Sequence, residues 1–270
     1  MRFDEAVNYL LSLGHETLAI KLGLANVERL LAALDRPERA FPSVQIAGTN
    51  GKGSTAAMLA EICRASRIRA GLYTSPHLVS ITERVRINGR EISREDFARL
   101  TARVRAASLE LQTASGALPT FFEQVTAIAL LAFRDANVEL AVLETGLGGR
   151  LDATTAARAA IAAVTPVAYD HQEYLGHTLR EIAAEKAAII HEETTVAVVA
   201  PQADEAREVI LARCRECLVT PRFTTGDIRV LGSDDAGRLR VTFKTDADIY
   251  EAVRLSLPGR HQLTNAATAI

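Results

Sequence analysis

The sequence contains no tryptophan, only three cysteines among 270 residues, and aromatic residues amount to 5% of the chain. So few cysteines, and an odd number of them, argue against a disulfide framework and predict a reducing, cytoplasmic environment. No apolar run approaches the ~20 residues that a membrane-spanning helix needs. The net charge of −2 excludes the broad basic surface that is typical of nucleic-acid or anionic-membrane binding. We therefore expect a monomeric globular protein with small-molecule partners, and neither nucleic acid nor membrane among them.

Two of the cysteines, Cys214 and Cys217, form a C-x-x-C pair within the segment DEAREVILARCRECL. This spacing occurs in metal and redox sites. The segment has helical periodicity, however, and it contains no second cysteine pair and no nearby histidine. We interpret the two thiols as incidental residues of a helix.

Short apolar runs alternate with longer segments of helical periodicity up to about residue 220. The pattern predicts strands at 43–46, 69–74, 139–144, 160–165 and 195–200, and helices at 94–111, 121–136, 178–190 and 204–217. This order favours an α/β fold with a mostly parallel sheet and helices on both faces. After residue 225, short alternating segments predict a small antiparallel sheet.

The stretch AGTNGKGSTAAM, residues 47–58, lies between a predicted strand and a predicted helix. Its three glycines allow backbone N–H groups to wrap a phosphate without an intruding Cβ. The positive end of the helix would face the same anion. Lys52 would neutralise the phosphates, and Ser54 or Thr55 could hold Mg²⁺. The stretch differs from G-x-x-x-x-G-K-[ST] by a glycine between lysine and hydroxyl, so a glycine-rich structural turn is the alternative.

A second signal is ELAVLETGLGGRLDAT, residues 139–154. Glu144 ends a buried strand there, and ligands of open α/β sheets bind at the carboxyl ends of the strands. A carboxylate at that point suits Mg²⁺, although an acid that caps a neighbouring helix is the alternative.

Some later residues have ambiguous roles. His171 follows a predicted strand and is either a metal ligand or a structural histidine. Lys186 lies within a predicted helix, where it either extends to solvent or points into the cleft. Phe121 and Phe122 either belong to the core or form the wall of a pocket for a flat ring.

Several motifs occur together and in order: AGTNGKGST, GLYTSPHL, ERVRINGREIS, TFFE, LETGLGGRLDAT, DHQEYLG, EIAAEKAAII and LPGRHQLTNAATA. Their combination strongly resembles folylpolyglutamate synthase, including the bifunctional dihydrofolate synthase form, within the Mur ligase superfamily. The resemblance implies an enzyme with a P-loop NTPase-like fold. It also implies an ATP-dependent amide ligase in which MgATP phosphorylates a folate or dihydropteroate carboxylate, and the amine of L-glutamate then attacks the acyl phosphate.

The resemblance also assigns roles to individual residues. It places Thr49, Asn50, Gly51, Lys52, Gly53 and Ser54 in the phosphate loop, Asn265 on ATP, and Ser75, Glu144 and His171 on magnesium. Lys52, Lys186 and His171 are the implied catalytic residues, with Lys186 carbamylated so that it becomes an anionic metal ligand. The implied acceptor pocket consists of Leu22, Gly23, Thr120, Phe121, Phe122, Glu123, Arg150, Leu151 and Asp152.

The resemblance predicts an ATP-binding domain over 1–258, with the antiparallel subsheet at about 225–258. Residues 259–270 would then begin a helix that leads to a missing glutamate-ligase domain, since the chain stops inside a helix pattern. A true terminus docked on the core is the alternative. We expect such a fragment to lack glutamate ligation by itself. The alternative functions are a different Mur-type ligase and a nucleotide-binding module without turnover.

Overall fold

The computed structural model describes residues 1–14, 23–224 and 227–270. Leu22, which the resemblance places in the acceptor pocket, lies outside these residues. Among the described residues, the main sheet is built from β1 (Ser43–Ala47), β2 (Ala70–Tyr73), β3 (Val85–Ile87), β4 (Arg90–Glu91), β5 (Leu140–Glu144), β6 (Ile161–Val164), β7 (Val196–Val199) and β8 (Thr220–Phe223). The strand order is β4-β3-β2-β5-β1-β6-β7-β8.

The main sheet is parallel from β2 to β8, and the two strands at the other end, β3 and the edge strand β4, pair antiparallel. Each of the five predicted strands is present, with bounds that differ from the prediction by no more than two residues. The pattern did not predict β3, β4 and β8, because β3 and β4 have only three and two residues and β8 is largely exposed, so none of them contains a long apolar run. The α/β prediction is confirmed.

The helices in chain order are α1 (Phe3–Ser12), α2 (Ala25–Ala33), α3 (Lys52–Ala65), α4 (Arg94–Ser115), α5 (Phe121–Asp135), α6 (Gln172–Leu175), α7 (Leu179–Ala187), α8 (Asp204–Glu216) and α9 (Gln262–Ala269). Single 3₁₀ turns cover Pro37–Ala40, Ile81–Arg84 and Ala153–Ala157. Helices α5 and α7 each begin with a capping box of a threonine and the glutamate three residues later. In each box, the side chain of either residue accepts a hydrogen bond from the backbone N–H of the other. No helix of the described residues is long and apolar enough to cross a membrane.

Alternate residues of the central strands face different helices. Val44, Ile46 and Val142 pack against Ala56 of α3, whereas the neighbouring residues of the strands face α4 and α5 on one side of β1 and α7 and α8 on the other. The sheet is therefore covered on both faces, as the sequence predicts, and β1 lies at its centre with a helix against each face.

A second, antiparallel sheet has the order β11-β10-β9 and consists of β9 (Asp227–Ser233), β10 (Leu239–Lys244) and β11 (Ile249–Arg254). Its buried side chains, among them Val241 and Phe243, pack with Ala266 of α9 and Met58 of α3. The predicted antiparallel sheet is confirmed. Because α9 docks on α3, the end of the chain reaches the helix that follows the glycine loop.

Cys214 is buried in α8, and Cys217 is partly buried at the end of that helix. No group of three or more His, Cys, Asp or Glu side chains within the described residues could hold a metal ion. Both cysteines therefore belong to α8 and its C-terminal end, as the helical periodicity predicts, and their interpretation as incidental thiols stays a prediction.

Gly71 in β2 lies directly beneath α5, and a Cβ at this position would be 2.6 Å from ring atoms of Phe133. Since Phe133 is fully buried, it has no room to withdraw. We expect Gly71→Ala to lower the free energy of unfolding by about 1–3 kcal/mol in urea denaturation. Gly232→Ala is the matched control, because a Cβ there meets no atom within 4 Å. Equal stability of the two variants would contradict the tight packing of α5 on β2.

Candidate nucleotide-binding site

The glycine loop joins the end of β1 to the start of α3, in the strand-to-helix context that a phosphate site requires. Gly48 has φ +146°, and a Cβ there would lie 2.0 Å from Oγ1 of Thr165. Gly51 has φ +88°, and a Cβ there would lie 2.1 Å from Oδ1 of Asn265. Both positions therefore need glycine for two reasons, the backbone conformation and the close approach of a neighbouring side chain.

Gly53 explains the extra glycine of the motif. It lies in the first turn of α3, and a Cβ there would be 3.2 Å from Oε1 and 3.4 Å from Oε2 of Glu144. A larger residue would press on this carboxylate. The glycine loop and the acid at the end of β5 thus share one site, as the sequence predicted.

The loop after β6 supports the glycine loop from one side. The backbone N–H groups of Thr49 and Asn50 both donate to the carbonyl oxygen of Pro166, at 3.0 and 3.2 Å. The hydroxyl of Thr49 also donates to the carbonyl oxygen of Ala168 at 3.0 Å. These backbone donors therefore hold the loop in shape, and the N–H groups at the start of α3 are the better candidates for a phosphate.

No side chain among the described residues caps the N-terminus of α3. The first N–H groups of a helix have no intrahelical acceptor, so those of Lys52, Gly53 and Ser54 are available to an anion. The hydroxyl of Thr55 donates to the carbonyl oxygen of Asn265 at 3.4 Å. Of the two hydroxyls that the sequence offers for Mg²⁺, Ser54 is therefore the better candidate.

Two lysines converge on the carbonyl oxygen of Gly48. Nζ of Lys52 donates to it at 3.0 Å, and Nζ of Lys186 donates to it at 2.9 Å. Lys186 is only 2% exposed, so it points into the protein and does not extend to solvent. Burial, and after it the nearby positive charge of Lys52, lower the pKa of Lys186 to about 8, while Asp170 and Asp152 oppose the shift.

Glu144 ends β5 and is 5% exposed. Its Oε2 accepts a hydrogen bond from the backbone N–H of Ser75 at 3.2 Å. Burial raises the pKa of Glu144 to about 7, although the Ser75 N–H and the charge of Lys52 both favour the ionised form. A divalent cation would offset this burial, and Mg²⁺ prefers carboxylate and hydroxyl oxygens. The carboxylate of Glu144, with Ser75 directly beside it, therefore fits Mg²⁺.

His171 lies at the start of α6 with φ +44°, and its ring is half exposed. Its Nε2 is 3.6 Å from Oδ1 of Asp170. The neighbouring loop residues Pro166 and Ala168 contact the glycine loop, so His171 belongs to the same rim of the sheet. Its role as a magnesium ligand or as a catalytic residue stays a prediction.

The residues assigned to the acceptor pocket lie in three places. Thr120 and Glu123 form the capping box of α5, in which Oε2 of Glu123 accepts from the N–H of Thr120 at 2.7 Å. Phe121 is buried in the core with the guanidinium of Arg84 over its ring. Phe122 is only partly buried, and its Cζ would be 2.8 Å from a Cβ on Gly146. Phe122 therefore faces the glycine run after Glu144.

The remaining acceptor residues follow that glycine run. Asp152 is buried and accepts hydrogen bonds from the N–H groups of Gly146 and Leu147, at 2.9 and 3.2 Å. Arg150 is exposed and forms an ion pair with Glu185 of α7. Leu151 is about one-third exposed. Gly23 has φ +135° and open space around it. In this structure Asp152 organises the loop, and substrate contacts by these residues stay predictions.

Sequence reasoning missed two buried residues near the site. Gln45 lies in the centre of β1 and is fully buried, and Thr165 follows β6 and packs against Gly48. The available signal was a polar side chain within or directly after an otherwise apolar strand, because a buried polar group needs hydrogen-bond partners.

Comparisons with known proteins agree on one family. The sequence model of the Mur ligase middle-domain family matches residues 46–270. A probable bifunctional folylpolyglutamate synthase/dihydropteroate synthase of Haloferax volcanii is 38% identical over 286 residues, which cover 100% of this chain and 32% of that protein. The structure of a Mycobacterium tuberculosis folylpolyglutamate synthase complexed with ADP and AMPPCP has a TM-score of 0.87 and 35% identity, covering 98% of this chain and 61% of that one.

A structure described as an FPGS-AMPPCP-folate complex has a TM-score of 0.89 and 32% identity, covering 100% of this chain and 65% of that one. This chain thus spans between about a third and two thirds of the length of these relatives.

The buried ammonium group of Lys186 predicts a specific dependence of stability on pH. Its pKa is about 8 when the protein is folded and 10.5 for an ordinary lysine, so the unfolded chain holds more protons between these values. The stability of the protein should therefore rise with pH across this window, by up to about 3 kcal/mol from this group.

Urea denaturation at about pH 7 and about pH 10 measures this rise. We expect Lys186→Met to remove it and Lys244→Met, which changes an exposed lysine of β10, to retain it. The same pH dependence in wild type and Lys186→Met would show that Lys186 is not buried as a cation.

Proposed function

The chain belongs to the Mur ligase middle-domain family, and from that premise we propose that it forms the nucleotide-binding part of an ATP-dependent amide ligase. The reaction joins L-glutamate to a folate or dihydropteroate carboxylate. One observation carries the proposal: two lysines, an uncapped helix N-terminus and a buried carboxylate meet at one glycine loop. The names of the relatives, and the ATP analogue and folate in the FPGS complex, support the choice of substrates.

The positive groups of the site suit the phosphates of ATP. The N–H groups at the start of α3 would bind phosphate oxygens, and Lys52 would exchange its contact with Gly48 for a stronger one with the charged phosphates. Asn265, held against Gly51 by the docking of α9, is placed to contact the nucleotide from the other side of the loop.

Magnesium would be held by Glu144, with Ser54, Ser75 and His171 as further candidate donors. When bound, the ion stabilises the negative charge that develops on the transferred phosphoryl group. Lys186 has a pKa of about 8, so a larger fraction of it is neutral near neutral pH than of an ordinary lysine. We include in the proposal that this neutral amine adds to CO₂ and loses a proton, which gives the carbamate that the resemblance implies.

The reaction proceeds in two steps. An oxygen of the acceptor carboxylate attacks the γ-phosphorus of ATP, the bond to the β-phosphate oxygen breaks, and ADP leaves. The amine of glutamate then attacks the acyl carbon and loses a proton, and inorganic phosphate leaves as the amide forms. Phosphorylation gives the acyl carbon a phosphate as its leaving group. Without it the leaving group would be an oxide, which an amine cannot displace.

The acceptor would lie beside Phe122 and the glycine run that begins at Gly146, since these two elements are in contact next to Glu144. A partly buried aromatic side chain offers a surface for a flat ring. A monomer in the cytoplasm completes the proposal, and the three free thiols support a reducing location.

Lys52 provides the most direct test of the proposed chemistry. We expect Lys52→Ala to reduce the formation of ADP by at least roughly 100-fold with every acceptor, because the charge that builds on the phosphoryl group loses a fixed cation. The assay is carried out on the protein at the full length of its relatives, and it measures ADP release in the presence of glutamate and either folate or dihydropteroate. Lys244→Ala is the control, as this side chain is exposed on β10. Turnover by Lys52→Ala at the wild-type rate would refute the assignment of the phosphate loop, and turnover with other acids only would favour a different Mur-type ligase.

Gly53→Ala separates the metal site from folding. The new Cβ would press against both oxygens of Glu144, whereas alanine favours the helix by about 1 kcal/mol relative to glycine. We expect no loss of thermal stability, but an increase of about tenfold in the Mg²⁺ concentration that supports nucleotide binding. An unchanged Mg²⁺ requirement would mean that Glu144 does not contact the ion.

A further inference from the structure

Gln45 is a fully buried amide in the middle of β1, on the face of the sheet opposite α3. Its Nε2 lies within hydrogen-bond distance of three threonine hydroxyls: 2.7 Å from Thr155, 2.9 Å from Thr154 and 3.3 Å from Thr145. These threonines follow Glu144 or form the 3₁₀ turn Ala153–Ala157. One side chain of the central strand thus reaches both ends of the loop 145–155.

The direction of these hydrogen bonds is fixed by the other partners of the hydroxyls. Thr154 donates its proton to Oδ1 of Asp152 at 2.5 Å, and Thr155 donates its proton to the carbonyl oxygen of Gly149 at 2.7 Å. Both hydroxyls must therefore accept from Gln45. Oε1 of Gln45 is buried and has no hydrogen-bond partner within the described part of the chain.

The chain of hydrogen bonds continues to the backbone after Glu144. Oδ1 of Asp152 accepts from Thr154, and its Oδ2 accepts from the N–H groups of Gly146 and Leu147. Gly146 is the residue whose Cα faces the ring of Phe122. The orientation of one amide in β1 is thus linked to the distance between the glycine run and this aromatic ring.

A buried amide with an unpaired carbonyl oxygen costs stability, on the order of 1–3 kcal/mol. An apolar residue would fill the same position of a central strand without that cost. What the amide provides is a fixed proton donor for two hydroxyls that hold Asp152 and Gly149.

We propose that Gln45 is a positioning residue for the acceptor side of the site, which acts through Thr154 and Asp152 to hold the backbone of Gly146 and Leu147 against Phe122. This inference rests on the proposed function, since it assumes that a flat pterin acid binds beside Phe122. Loss of the amide would let the loop shift, and a shift of about 1 Å in a binding element costs up to roughly 100-fold in rate.

The test compares Gln45→Leu and Thr154→Val with the control Thr101→Val. Thr101 is equally buried, and among the described residues its hydroxyl bonds within α4, to the carbonyl oxygen of Phe97 at 2.7 Å. We expect both network variants to raise the Kd for folate or dihydropteroate about tenfold. The Kd for ATP should remain within about twofold of wild type, since the shift is confined to the acceptor side.

The double variant Gln45→Leu/Thr154→Val should be no worse than the worse single variant, because the two residues act through one chain of bonds. Thr154→Val keeps the shape of the side chain, so it remains informative if Gln45→Leu does not fold. A general loss of stability would weaken ATP and acceptor binding together, and that result would overturn a positioning role.

Amide hydrogen exchange gives a measurement that needs no ligand. The N–H groups of Gly146 and Leu147 donate hydrogen bonds to Asp152. Their hydrogens should exchange faster in both network variants and at the wild-type rate in Thr101→Val. If wild type binds no pterin acid, the proposed function fails, while the exchange rates still report on the network. Unchanged exchange, or faster exchange with unchanged acceptor affinity, would overturn the inference about Gln45.

Discussion

The carbonyl oxygen of Gly48 accepts hydrogen bonds from two lysine ammonium groups, and the rest of the site depends on this arrangement. Lys52 comes from the first turn of α3, and Lys186 comes from the other face of the sheet, in α7. Two cations at one neutral acceptor, next to the positive end of a helix, repel each other and leave charge uncompensated. An anion with several oxygens resolves this, and a nucleotide phosphate matches both the charges and the glycine backbone.

A second electrostatic element balances the first. Glu144 is a buried carboxylate with a raised pKa, and it lies against Gly53 at the start of the same helix. A site of this kind favours a divalent cation and a polyphosphate together. The cation compensates the buried carboxylate of Glu144, and the polyphosphate compensates the positive charge at the glycine loop. The glycines of the loop serve this purpose as well: they let Thr165, Asn265 and Glu144 approach the backbone more closely than a Cβ would permit.

Much of this arrangement could be predicted from the sequence, because it depends on local pattern. The buried run that ends in Glu144 predicts a strand and places the acid at its carboxyl end. The direction of Lys186 could not be predicted, since helical periodicity does not show which loop a helix faces. The approach of Asn265 to Gly51 depends on the docking of α9 on α3, a long-range contact that no local pattern contains. Asp152 was expected at the substrate, and in the structure its oxygens hold the backbone of its own loop.

The central claim is that the glycine loop binds phosphate groups through Lys52 and the start of α3. Isothermal titration of the protein with ATP, ADP, AMP and adenosine in the presence of Mg²⁺ tests this claim most directly. We expect the affinity to rise with the number of phosphates, with adenosine bound at least roughly 100-fold more weakly than ATP. Equal affinity for adenosine and ATP would contradict the account, because binding would then not involve Lys52 or the glycine loop.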